Sequence, residues 1–191
     1  MPQWYAARQR STTSLVVGPW PIDVENGVPA PSPVHDHEST QEDRHMTHIK
    51  RFDHVGVTVR DLDRATDFFV GLGMAVEGRT FVEGDFIDDV IAIPGSRTEI
   101  VMLTCPGGGS SVELSSFVRP DPVEGSPDAM ANELGLRSLG FQVEDIDAAV
   151  ASVAAQGYGL VGAVGEYEGI WKQAYIRGPE GLIVSVAERV G

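Results

Sequence analysis

Two side chains sit where their chemistry is hard to explain as filler. His54 lies in FDHVGVTV (52–59), where Val55, Val57 and Val59 alternate with His54, Gly56 and Thr58. In a strand that alternation puts the valines on one face and the imidazole on the other. Glu113 lies between Val112 and Leu114 in SVELSSF (111–117). A carboxylate in such a segment is costly unless it is ion-paired, bound to a metal or raised in pKa. For His54 the plain alternative is a ring satisfied by a hydroxyl or carbonyl. For Glu113 it is a salt bridge to an arginine.

Further candidates follow from the same strand logic. Gln142 shares a face with Ser138 and Gly140, and an amide oxygen is an acceptable hard ligand. Tyr175 and Arg177 alternate in KQAYIRG (172–178), and Arg177 has the fork geometry that clamps a carboxylate through two bonds. Glu166 and Glu168, in GEYEGIW (165–171), flank an aromatic before a strand. A loop carboxylate there can close over a site and act as a base, or simply be solvated. The run Gly107, Gly108, Gly109 joins two strands with no helix after it, so it reads as a hairpin turn rather than a phosphate cradle. His35, His37 and His45 belong to HDHESTQEDRH, a polar stretch expected to be a solvated linker.

The elements that must position these residues come in two copies. FDHVGVTV is followed by RDLDRATDFFVGLG, in which Asp61 is placed to cap a helix with Leu62, Ala65, Phe68, Phe69 and Leu72 on one face before Gly73. The unit recurs 84 residues later as LRSLGFQVEDIDAAVASVAAQGYG, where Gly140, Val143, Asp145, Asp147, Ala149 and Gly157 repeat Gly56, Val59, Asp61, Asp63, Ala65 and Gly73. An internal duplication is the direct reading. Strand-like segments follow each helix: MAVEGRTFV, TEIVMLTC and SVELSSF in the first copy, YGLVGAV, KQAYIRG and GLIVSVAE in the second. CPGGGSS (105–111) and GPEG (178–181) supply reversals, and VRPDPVEGSPDAM (118–130) reads as a linker.

The predicted organisation is therefore a disordered N-terminal tail over residues 1–47 and one α+β domain over 48–191. Within that domain, module one spans 49–117, a linker 118–135 and module two 136–191. The tail carries Pro2, Pro19, Pro21 and further prolines without helical or strand period, and Met46 stands just before the patterned region as an alternative start. Lys and Arg number 14 against 28 Asp and Glu, a formal charge of -14, which disfavours nucleic acid and anionic membranes as partners. Cys105 is alone, no apolar run is long enough to span a bilayer, and Leu15, Val16 and Val17 are too few for a secretory core. A cytoplasmic protein is expected.

In DHVGVTVRDLDRATDFF, VELSSF, LRSLGFQVEDIDAAV and YIRGPEGLIVSVAE the sequence resembles the vicinal-oxygen-chelate superfamily. That group includes glyoxalase I, methylmalonyl-CoA epimerase, extradiol dioxygenases and bleomycin-resistance proteins. The resemblance covers about residues 50–188 and implies two βαβββ modules forming a cup-shaped mixed sheet. It also implies a divalent metal ion held by a first-strand residue and a last-strand carboxylate of each module. His54 and Glu113 match in module one; Ser138 and Ser185 stand at the matching positions of module two. The activity it points to first is metal-assisted proton transfer beside a carbonyl, as in an epimerase, isomerase or glyoxalase-like lyase. Glu113 or Glu168 would then be the base, with Gln142, Tyr175, Arg177, Ser138 and Ser185 around the substrate. A metal-free protein that sequesters a small cationic or aromatic compound is the alternative. An extradiol-type dioxygenase comes third, because it needs a second histidine and only His48 and His54 lie in the patterned region. A small-molecule substrate and a homodimer complete the expectation.

Overall fold

The valines of FDHVGVTV do turn to one side. In the computed structural model, which describes residues 48–191, β1 (His54–Thr58) buries Val55 and Val57 toward the core and leaves His54, Gly56 and Thr58 exposed. Strand β1 is followed by α1 (Leu62–Gly71), β2 (Ala75–Glu83), α2 (Asp85–Ile91), β3 (Arg97–Thr104) and β4 (Ser111–Arg119). Module two runs β5 (Ser138–Val143), α3 (Ile146–Ala155), β6 (Gly159–Leu160), β7 (Gly165–Tyr167), β8 (Trp171–Arg177) and β9 (Ile183–Arg189). Sheet one is ordered β1–β4–β3–β2; sheet two is ordered β5–β9–β8–β6, with β7 also on β8. In each, the first strand lies parallel to the last and the other pairs are antiparallel. The fold is the α+β, twice-repeated architecture expected from the sequence.

Both helices start as their sequences require. The Asp61 carboxylate accepts from the Arg64 N–H at 2.9 Å and that of Asp145 from the Ala148 N–H at 2.9 Å, each satisfying an orphan donor of a first turn. Gly73 and Gly157 follow the helices with φ of 100° and 88°, a region glycine enters without a Cβ penalty. On α1, Leu62, Ala65, Phe68 and Phe69 are the buried residues.

These helices lie against each other and close the core between the modules. Phe68 packs edge-on against Tyr158 at 4.9 Å between ring centroids, Phe69 faces Phe141 at 6.3 Å, and the Ser152 hydroxyl donates to the Gly71 carbonyl at 2.7 Å. Val101, Leu103, Val112 and Leu114 of sheet one and Ala174, Ile176, Val184 and Val186 of sheet two belong to the same cluster. The side of each sheet away from the helices is called its open face below.

Two expectations about elements are corrected. A second helix, α2, interrupts the expected run of three strands in module one. It has no buried residue, and Phe86 and Val90 point outward, so no apolar stripe announces it. Its return to β3 is held by Asp88, whose carboxylate accepts from the Ser96 hydroxyl at 2.7 Å and the Gly95 and Ser96 N–H groups at 2.6 and 2.9 Å. These donors, the Ser96 hydroxyl first, hold the Asp88 carboxyl below the usual carboxylate range. In module two the expected strand YGLVGAV pairs regularly only at Gly159–Leu160, and pairing resumes at Gly165–Tyr167. Gly162 supplies no side chain to hold the intervening stretch to the sheet. The expected tail lies outside the described residues, as do His35, His37 and His45.

The linker is fastened to module two. The Arg177 guanidinium donates to the carbonyls of Pro127, Ala129 and Gly181 at 3.1, 2.8 and 3.1 Å. Gly181 has φ of 79°, and a Cβ there would collide with the Pro127 carbonyl. Phe68→Ala is expected to cost about 3–5 kcal/mol of unfolding free energy by loss of a fully buried ring. Gly181→Ala should cost at least about 1–2 kcal/mol through its left-handed backbone alone; urea denaturation measures both.

Candidate functional site

Register decides which residues meet. His54 pairs with Ser111 and Gly56 with Glu113, so His54 and Glu113 lie two residues apart along neighbouring parallel strands. Val112 and Leu114 face the core, which turns Glu113 to the open face with Ser111 and Ser115. Across the other edge of β4, Met102 pairs with Glu113. Glu113 is half-buried and has neither ion pair nor hydrogen bond among the described residues. The arginine salt bridge weighed as its plain explanation is thus not made there.

The imidazole does have a partner. Nδ1 of His54 lies 3.1 Å from a carboxylate oxygen of Asp53, whose other oxygen takes the Arg51 guanidinium at 2.6 Å. The His54 contact, and then the Arg51 charge, hold the Asp53 carboxyl below the usual range. An ionised carboxylate only accepts, so Nδ1 is the nitrogen that donates in this contact. Asp53 sits next to His54 in FDHVGV, but strand alternation points neighbours to opposite faces, and so gives no reason to pair them. It pairs here because it stands just before β1.

In module two the residues equivalent to Gly56 and Glu113 are Gly140 and Ser185, which pair in the same way. Tyr175 pairs with Ser185 from the other side, and Ser138 and Gln142 lie one alternation away on β5. Ser138, Gln142, Tyr175 and Ser185 thus share one open face. Ser185 is buried, and its hydroxyl accepts from the Gln173 amide at 2.9 Å. Gln173 alternates with Tyr175 in KQAYIRG, and that spacing is the signal that would have found it. Arg177 shares the face, but its guanidinium is occupied by the linker carbonyls of Pro127 and Ala129 and by the Gly181 carbonyl of its own turn. Glu168 lies in the turn between β7 and β8, next to the strand end where Trp171 pairs with Arg189, outside the row formed by Tyr175 and Ser185. Burial first, and the neighbouring Glu168 charge second, raise the Tyr167 hydroxyl pKa.

A cavity of about 230 Å³ lies where the linker and the β8–β9 turn meet the end of β1, and none of His54, Glu113, Ser138, Gln142, Tyr175 and Ser185 lines it. Its lining includes Thr58 of sheet one and Ile183 of sheet two, with Ser126 and Ala129 from the linker. Arg137, also in the lining, is paired with Glu133 at 3.4 Å.

A resident divalent ion fits this donor set poorly. Module one offers one imidazole and one carboxylate; module two offers the Gln142 amide and hydroxyls, of which Ser185 is already committed to Gln173. Among the described residues no three His, Cys, Asp or Glu side chains converge as an ion site. Stable sites for such ions draw on three or four strong donors.

Comparison with known proteins gives consistent results. The sequence model of the glyoxalase/bleomycin resistance protein/dioxygenase superfamily matches residues 53–175. A glyoxalase family protein from Bacillus cereus is 38% identical, with a TM-score of 0.73, over 76% of this chain and 98% of that one. A glyoxylase/bleomycin resistance protein/dioxygenase domain from Frankia sp. is 21% identical (TM-score 0.52, 74% of this chain and 98% of that one) and shares the fold. So does a glyoxalase family protein from Enterococcus faecalis, 22% identical with a TM-score of 0.50 over 74% of this chain and 100% of that one. Comparison with curated proteins found no match. No helix among the described residues is long and apolar enough to cross a membrane.

The tautomer of His54 is directly measurable. Nitrogen-15 NMR of the ring should show the proton on Nδ1 in the parent protein, and Asp53→Asn should shift the population toward the Nε2–H form.

Proposed function

We propose a small-molecule binding role from one premise: the chain belongs to the glyoxalase/bleomycin resistance protein/dioxygenase superfamily. The ligand we assign to it is a small organic cation, anchored by Glu113 on the open face of sheet one. The single observation that carries this reading is the unpartnered, half-buried carboxylate of Glu113. A carboxylate in that setting gains most from a ligand that brings its own positive charge and N–H donors. The formal charge of -14 draws such ligands toward the protein. To the organic body attached to the cation we assign Tyr175, Gln142 and Ser138, the aromatic and neutral polar groups on the open face of sheet two.

The metal-assisted reading, first choice from the sequence, gives way here because module two carries hydroxyls where strong donors are needed. Titration of the full chain with benzylamidinium and with benzoate, followed by NMR shift changes, tests the proposal. Benzylamidinium should bind and benzoate should not, and Glu113→Gln should weaken the cation about ten-fold or more. Dialysis against EDTA should leave both binding and the melting temperature unchanged. Preferred binding of benzoate, or loss of binding on metal removal, would overturn it.

A second reading, proton transfer beside a carbonyl, is favoured by one observation: the Asp53 contact fixes the His54 ring through Nδ1 on the strand face that also carries Glu113. If it holds, the protein will catalyse deuterium uptake from solvent into an acyl thioester or a 2-oxo acid, and His54→Gln will abolish that exchange. The assembly we attach to either reading is a homodimer. Edge strand β2 is exposed along nearly its whole length, including Val76 and Phe81.

A further inference from the structure

Two glycines occupy matching places that the fold does not require to be glycine. Gly56 in β1 and Gly140 in β5 each stand mid-strand beside the last-strand residue of their module, Glu113 and Ser185. Glycine inside a strand has a conformational cost and packs nothing, so it usually marks a positive φ, a bulge or a close approach. None of these applies. Neither residue has positive φ, their pairing is regular, and a Cβ on either would meet nothing within 4 Å. The contrast with the β8–β9 turn is direct: a Cβ on Gly178 would come within 2.8 Å of the Phe68 ring, and Gly181 is pressed by Pro127.

What a side chain at position 56 would fill is the space beside the Glu113 carboxylate. The neighbours of that space on the open face are His54 and Thr58 along β1 and Ser111 and Ser115 along β4. Glu113 has no partner of its own among the described residues, so the notch adjoins a carboxylate that a ligand can satisfy.

We infer that Gly56 is a specificity-determining residue: the notch left by its missing side chain admits the bulk next to the cationic group that Glu113 anchors. This rests on the binding role proposed above and adds to it a limit on ligand size. A ligand with a flat, bulky group one carbon from its charge needs the notch; a compact cation reaches Glu113 without it. Size discrimination of this kind by one hydrocarbon side chain is commonly ten-fold or more.

The test compares the full-length parent, Gly56→Ala and Gly56→Val by NMR titration with benzylamidinium and with acetamidinium, after circular dichroism has confirmed folding. In the parent both probes should shift resonances of β1 and β4. Gly56→Val should weaken benzylamidinium about ten-fold or more while changing acetamidinium by no more than about two-fold, with Gly56→Ala between. If Gly56→Val binds benzylamidinium as tightly as the parent, the inference is overturned and the role of Glu113 stands. Equal weakening of both probes would also overturn it, because position 56 would then matter to the anchor rather than to size. If the parent binds neither probe, the binding role fails and the inference goes with it. Should Gly56→Val not fold, Gly56→Ala carries the comparison, with a benzylamidinium loss of at least about three-fold expected and an unchanged affinity overturning the inference.

Discussion

Burial of one face of each strand dictates what the other face can present. Val112 and Leu114 are held in the core by α1 and by the neighbouring strands, so Glu113 between them has no freedom to turn inward. The same constraint acts on β1, where Val55 and Val57 commit His54 to the open side. A shift of one residue in either strand would bury a carboxylate or an imidazole and expose two valines, which is why the register is secure. The aromatic seam of Phe68, Phe69, Phe141 and Tyr158 then locks one module against the other. Site chemistry is the remainder after the core has taken what it needs.

The two modules keep the same scaffold and differ in polarity. Each has an aspartate cap, a terminating glycine, a parallel first and last strand, and a glycine facing the last-strand position. At that last-strand position one module carries a charged group without a partner and the other a buried hydroxyl already bonded to Gln173. An ion shared symmetrically between modules needs donors from both. The binding role proposed above asks for one strong anchor and a neutral surface, and would draw the first from module one and the second from module two.

Much of the scaffold was legible because it is written in local terms. Alternating valines, Asp61 and Asp145 before helices, and Gly73 and Gly157 after them each carry a short-range physical meaning that the structure repeats. Helix α2 was not legible, since Phe86 and Val90 are exposed and its order depends on Asp88 reaching Ser96 across eight residues. The stretch 161–164 reads as strand by composition, but Gly162 leaves the sheet no side chain to hold at its middle. In the site, the shared face of His54 and Glu113 follows from alternation plus pairing. The partners of Asp53 and Arg177 do not, because guanidinium and carboxylate groups choose among carbonyls and charges that sequence spacing does not bring together. Arg177 has the residue type of a substrate clamp, and the chain uses that fork on its own backbone.

That grip on the backbone divides the connection between modules into two parts. Pro127 to Met130 belong with module two through Arg177, while Glu124 is ion-paired with Arg60 at the end of β1 in module one. Gly125 and Ser126 lie between the two attachments. Since the aromatic seam already locks the two halves together, the connection crosses a gap of set width and is held at both of its ends.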